Sequence, residues 1–105
     1  MRVITKGRLL DLAKAHAGSL PSVKQWLATV QSAYWGDFTD IRNTFNSTDL
    51  VRLGSGHTVY VFNIGSYRLI AAIHFKPENP SRGRVYIREF LTHADYDKNS
   101  WKERN

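Results

Sequence analysis

The chain has 105 residues and carries fifteen Lys and Arg against nine Asp and Glu, a net charge of +6 with histidine neutral. That length sets a single domain over residues 1–105 as the expectation, and 42% hydrophobic residues are enough for one core, which excludes wholesale disorder. No apolar run approaches the ~20 residues of a membrane span, and the lack of cysteine excludes disulfides, thiolate zinc sites and a thiol nucleophile.

In chain order, Arg2-Val3-Ile4 is short and β-prone, and Thr5 suits the N-cap of a helix from about Lys6. Leu9, Leu12, Ala13 and His16 share one face of that helix, and Gly18 can end it. Asp11, Lys14 and His16 interrupt what would be the apolar stretch of a signal peptide, so a soluble, cytoplasmic domain is expected. Pro21 stands near the start of a second helix, where Val23, Trp26, Leu27, Val30 and Tyr34 form an apolar stripe expected to face a sheet. Asp37 can cap a short helical turn through Phe38, Ile41 and Arg42. From Leu50 the period changes: residues 50–53, 58–64, 67–75 and 84–91 are rich in Val, Ile, Tyr and Phe and read as strands. Gly54-Ser55-Gly56, Gly65-Ser66 and the loop 77–83 punctuate them as antiparallel hairpins. Helices first and strands afterwards predict an α+β fold, with N-terminal helices packed on one face of a small antiparallel β-sheet.

A basic chain is drawn to polyanions, and nucleic acid is the first partner class to consider. Residues 1–50 hold six basic and four acidic side chains, residues 51–105 nine and five, a mild skew, and no run of consecutive Lys or Arg makes a basic tail. Strand alternation sorts it further. Tyr67, Leu69, Ala71, Ile73 and Phe75 should meet the core, leaving Arg68, Ile70, Ala72, His74 and Lys76 on the other side. In the last strand Val85, Ile87 and Leu91 point one way, interrupted by Glu89, while Arg84, Tyr86, Arg88, Phe90 and Thr92 point the other. One face then gathers Arg68, His74, Arg84, Tyr86 and Arg88: cations for phosphates and rings for bases, as a single-stranded RNA surface needs. An antiparallel sheet also ordinarily turns a polar face to water, and the pattern alone allows that reading too.

Directly after this strand comes Thr92-His-Ala-Asp-Tyr-Asp-Lys98. His93 and Tyr96 suit general acid–base chemistry, although a histidine bonded to a backbone carbonyl is the commoner case. Asp95 and Asp97 can orient His93, cap a helical turn or pair with Lys98. His16, His57, His74 and His93 are scattered, without metal-ligand spacing, so no metal is expected. The glycines at 54 and 56 lack the lysine of a phosphate loop, and Ser55 and Ser66 sit in hairpin loops where a serine nucleophile would need a strand-to-helix turn. Carboxylates do not cluster beyond Asp95 and Asp97, so a nuclease built on this chain should be metal-independent and need no cofactor.

The order of motifs resembles the HigB-type toxins of the RelE superfamily, messenger-RNA interferases of type II toxin–antitoxin pairs. The segments that carry the resemblance are Met1-Arg-Val-Ile-Thr5, Trp35-Gly-Asp-Phe38, Tyr60-Val-Phe-Asn-Ile64, Tyr67-Arg-Leu-Ile70, Tyr86-Ile-Arg-Glu-Phe90 and Thr92-His-Ala-Asp-Tyr-Asp-Lys98. The last two are the most distinctive, and together the segments run through most of the chain. The resemblance implies a RelE-like fold and cleavage of mRNA on the translating ribosome. It implies attack of a ribose 2′-oxygen on the adjacent phosphorus, giving a 2′,3′-cyclic phosphate and a 5′-hydroxyl. A cognate helix-turn-helix antitoxin of the HigA type is the implied protein partner, and a monomer is expected for the free toxin. Carried over residue by residue, Arg68 becomes the phosphate clamp, His93 the general acid or base, and Tyr96 a base-stacking or proton-sharing group. Arg84, Arg88, Lys98 and His74 become RNA-binding residues. RelE-type toxins often work with lysines and arginines and no histidine, so the reaction is better specified than the roles. The competing expectation is a non-catalytic RNA- or ribosome-binding module on the same basic sheet.

Overall fold

A computed structural model describes residues 1–16 and 18–105. The elements are β1 (Arg2–Ile4), α1 (Lys6–Lys14), α2 (Leu20–Gln31), α3 (Phe38–Thr44), β2 (Asp49–Arg52), β3 (Thr58–Ile64), β4 (Tyr67–His74), a 3-10 turn (Pro80–Arg82), β5 (Arg84–Thr92), α4 (His93–Asp97) and α5 (Trp101–Arg104). The strands form one sheet in the order β1-β5-β4-β3-β2. The four strands from β2 to β5 pair antiparallel, whereas β1 pairs parallel to β5. The long helical connection after β1 permits this, since parallel neighbours need a crossover rather than a hairpin. The α+β expectation therefore stands, with a mixed sheet in place of a purely antiparallel one.

The N-terminal helices cover one face. Leu9 and Ala13 of α1, and Val23, Trp26, Leu27 and Val30 of α2, are buried against Phe62, Ile64, Leu69, Ala71, Val85 and Ile87. The nitrogen of Met1 donates to the carbonyls of Val30, Gln31 and Ala33, fastening β1 to the end of α2. Asp37 caps α3 as expected, accepting from the Asp40 N–H at 3.0 Å. Two local expectations fail. Tyr34 lies beyond the end of α2, so the helical spacing that placed it on the stripe no longer applies, and it is 72% exposed. Thr5 precedes α1 with φ of +64°, its hydroxyl turned to the Ile4 carbonyl instead of capping a helical N–H.

The opposite face is covered too, by the C-terminal helices. Leu53, Val59, Val61 and Ile70 form a second, smaller cluster around Trp101, which is completely buried. The Trp101 indole donates to the Tyr96 carbonyl at 3.0 Å, tying α5 back onto α4. Farther along, Arg104 and Asn105 grip the Glu89 carboxylate of β5 at 2.7 and 2.5 Å.

Glu89 can be reached because β5 is bulged. Ile70 pairs with Glu89 but Ala71 pairs with Ile87, leaving Arg88 as an extra residue. Parity flips there. Val85 and Ile87 face the N-terminal helices, and beyond the bulge Phe90 does so, opposite Leu69. Phe90 is thus a core residue, not a neighbour of Arg84 and Tyr86, and Glu89 and Leu91 take the other face. The bulge also accounts for the acid that interrupted the apolar alternation.

Truncating Trp101 to alanine should cost about 3–5 kcal/mol in denaturant unfolding, the usual cost of emptying a large aromatic site. Thr5→Asn should raise stability by about 1 kcal/mol in the same measurement, because asparagine tolerates positive φ and can cap the helix.

Candidate active site

α4 begins where β5 ends because Thr92 is an extended residue whose hydroxyl accepts the Asp95 N–H at 3.1 Å. That cap fixes His93 at the first position of the helix and puts Asp97 one turn later on the same side. β4 supplies the third group. Its two-residue turn, with Gly65 at φ +58°, is followed by Tyr67 and then Arg68, which pairs across the ladder with Leu91.

The three side chains form a chain of hydrogen bonds. Arg68 Nη2 lies 3.0 Å from His93 Nδ1, and His93 Nε2 lies 3.0 Å from Asp97 Oδ2. A guanidinium can only donate and a carboxylate only accept. Both contacts are therefore satisfied by one neutral tautomer, with the lone pair on Nδ1 and the proton on Nε2. The other guanidinium nitrogen, Nη1, donates to the Tyr67 carbonyl at 3.0 Å, and the Arg68 Cζ stands over the Tyr96 ring at 6.0 Å. Tyr96 is stacked on Trp101, centroids 5.3 Å apart and planes 16° from parallel. Burial holds the Tyr96 hydroxyl above the ordinary tyrosine value, and Asp49 and Asp97 push the same way against Arg68. His93 and Asp97 are each more than half exposed, so the cluster is open to a large substrate.

Of the residues singled out from sequence, Arg68, His93 and Tyr96 come together here. The two aspartates divide: Asp97 holds His93, while Asp95 pairs with Lys98 at 3.5 Å. Lys98 thus sits at the end of α4 with its charge directed to its own helix. His74 and Arg84 do not join the cluster. They pair with each other six residues along β4 from Arg68, about 20 Å away at the rise of a strand. Arg88 is also separate, because the bulge turns it toward Asn105, whose side-chain oxygen accepts from Nε at 3.2 Å. Trp101, the floor beneath Tyr96, gave no signal in the sequence, being a lone aromatic in the polar run Lys98-Asn-Ser-Trp-Lys-Glu103. Among the described residues no group of three His, Asp or Glu is placed to hold a metal ion, and no helix is long and apolar enough to cross a membrane.

The open end of the sheet thus carries a cation, an imidazole and a carboxylate in series. Comparison with known proteins gives the class. Residues 20–99 match the family described as "HigB_toxin, RelE-like toxic component of a toxin-antitoxin system", and the chain belongs to that family. It is 28% identical over 99 residues to the mRNA interferase toxin HigB of Escherichia coli K12, spanning 92% of this chain and 88% of the relative. The same figures hold for proteins named mRNA interferase HigB in Escherichia coli O157:H7 and in Shigella flexneri.

The Tyr96 hydroxyl should ionise above the ordinary 10.0 in an ultraviolet pH titration read as the difference from Tyr96→Phe. Asp49→Asn should bring that titration down by removing a negative neighbour, and Arg68→Gln should send it higher by removing a positive one.

Proposed function

We propose that this toxin is a metal-independent endoribonuclease that cleaves mRNA on the translating ribosome through Arg68, His93 and Tyr96. The observation that carries the reading is the Arg68–His93–Asp97 series, 3.0 Å at each link. The named activity of the relatives, mRNA interference, is what such a series can perform.

In the resting cluster Arg68 occupies the lone pair of His93 Nδ1. A phosphate oxygen is a better acceptor for a guanidinium than an imidazole, being anionic and able to take two parallel N–H groups. An incoming phosphodiester therefore draws Arg68 away and frees Nδ1 beside the bound phosphate. His93 then removes the proton of the ribose 2′-hydroxyl, with Asp97 holding the ring and stabilising the cation that forms. The 2′-oxygen attacks phosphorus and the bond to the 5′-oxygen breaks, leaving a 2′,3′-cyclic phosphate and a 5′-hydroxyl. Arg68 stays on the equatorial oxygens, where charge is greatest in the transition state. Tyr96, kept protonated, is the donor for the departing oxygen, and its ring sets the height of the guanidinium. Lys98 can exchange its exposed pair with Asp95 for an approaching phosphate.

The same reading assigns mRNA as substrate and a HigA-type helix-turn-helix antitoxin as protein partner, with the free toxin a monomer in the cytoplasm. A single small domain suits this work, because mRNA held by the ribosome arrives already positioned.

Induced expression should arrest growth and fragment translated mRNA, with cyclic-phosphate ends and no loss of activity in EDTA. Arg68→Ala and His93→Gln should each lower cleavage by about 10²-fold or more. Intact transcripts under full expression would move the chain to the binding-module reading, and full activity in both variants would remove these residues from the site.

A further inference from the structure

At the far end of the same sheet face, two arginines and a histidine stand in one cross-strand row. Arg2 of β1 pairs with Arg84 of β5, and Arg84 pairs with His74 of β4. Paired residues project to the same side of a sheet. Their neighbours Val3, Val85 and Ile73 pack on the N-terminal helices, so the row faces the other way. Lys76 and Arg82 flank it, and with Glu78, Asn79 and Arg84 they line a cleft of about 430 Å³. Arg2, His74, Arg82 and Arg84 are exposed. Among the described residues neither His74 nor any of the four cations, Arg2, Lys76, Arg82 and Arg84, is ion-paired.

Like charges directly across a sheet are destabilising, and a fold that only needed solubility would intersperse acids. Glu78 is the single carboxylate lining the cleft. The backbone that carries the cations is held in place. Gly83 is so closely packed that a Cβ there would stand 2.3 Å from Met1 Cε and 3.2 and 3.3 Å from the carbonyl oxygens of His74 and Pro80. The Gly83 carbonyl accepts the Arg2 N–H at 2.9 Å, and Gly83 and Arg82 donate to Pro80 and Asn79. The loop bearing Arg82 is therefore stitched to both β1 and β4.

Tyr86 supplies the second element. It pairs with Ala72 on this face, is half-buried, and lies between Arg84 and Arg88 along β5. A ring beside cations suits a stacked base and its phosphates, which an acidic peptide would not use.

We propose that Arg2, His74 and Arg84, with Lys76 and Arg82, form a second RNA-backbone site, separate from the cleavage cluster and about 20 Å from Arg68. It rests on the RNA-directed reading of this face, and it takes phosphodiester backbone a few nucleotides away from the bond that is cut. Two sources offer that backbone, the flank of the substrate strand and ribosomal RNA.

The test is binding of a labelled single-stranded RNA of about 16 nucleotides over a salt series, with ribosome binding measured in parallel. The triple variant Arg2→Gln/Arg82→Gln/Arg84→Gln should bind about tenfold more weakly at low salt, and its log–log salt slope should fall by about 2, the loss of three single-strand phosphate contacts. Its melting temperature should be unchanged or raised, since repulsion is relieved. Weakening on the free strand assigns the site to the substrate's flank, and weakening on ribosomes alone assigns it to ribosomal RNA. Wild-type affinity and slope with both would overturn the proposal. Arg68→Ala separates the two claims: it should abolish cleavage yet hold the 16-nucleotide RNA within a few-fold of wild type. A wild-type protein that cleaves nothing but loses binding in the triple variant would contradict the cleavage reading and leave this one standing.

Discussion

Trp101 decides where the candidate active site of this molecule is built. Fully buried against Ile70, Val59, Val61 and Leu53, it removes a large apolar surface from water on a sheet face that would otherwise be solvated. Its indole N–H binds the Tyr96 carbonyl and its ring carries the Tyr96 ring, so the short α4 cannot drift from β4. A five-residue helix has almost no stability of its own. Packing of Trp101 from below and the Thr92 cap at its start keep His93 and Asp97 opposite Arg68.

The bulge at Arg88 gives the C-terminal helix its other hold. By inserting one residue it brings Glu89 onto the face of Arg104 and Asn105, and the carboxylate, only 16% exposed, is bonded by both. The same helix divides the basic face. Arg68, with the Asp97-oriented His93, lies on one side of it, and the row of Arg2, Arg84 and His74 lies on the other. A single basic platform becomes the Arg68–His93–Asp97 cluster proposed for cleavage and a separate charged surface, which would divide local chemistry from long-range attraction for a polyanion.

Much of this was legible in the sequence, for identifiable reasons. The helices and hairpins announce themselves by period and by turn residues, and β3 over 58–64 is found as expected because its run of Val, Tyr and Phe is unbroken between two glycine-marked turns. Arg68, His93 and Tyr96 were legible as a group through the family resemblance, carried by the Tyr-Arg-Leu and Thr-His-x-x-Tyr segments, which meet where β4 begins and β5 ends. Period could not show the bulge, since one inserted residue flips every later side chain; Glu89 in an apolar series was its trace. Parallel pairing of β1 was equally hidden, because nothing within three residues specifies which edge they join. The distance between Arg68 and Arg84 was missed because sharing a face says nothing about position along the strand. Tyr34 failed for a simpler reason: a helical stripe has meaning only as far as the helix runs.

The central claim is that Arg68 and Asp97 together orient the His93 ring, its Nδ1 lone pair toward the guanidinium and its Nε2–H toward the carboxylate. Long-range proton–nitrogen NMR of the His93 ring reads this directly at a pH where the ring is neutral. The account predicts a proton on Nε2 and none on Nδ1, with the Nδ1 resonance shifting when a 2′-deoxy dinucleotide, which cannot be cleaved, is added. An Nδ1–H tautomer, or a ring indifferent to both the dinucleotide and Arg68→Ala, would contradict it.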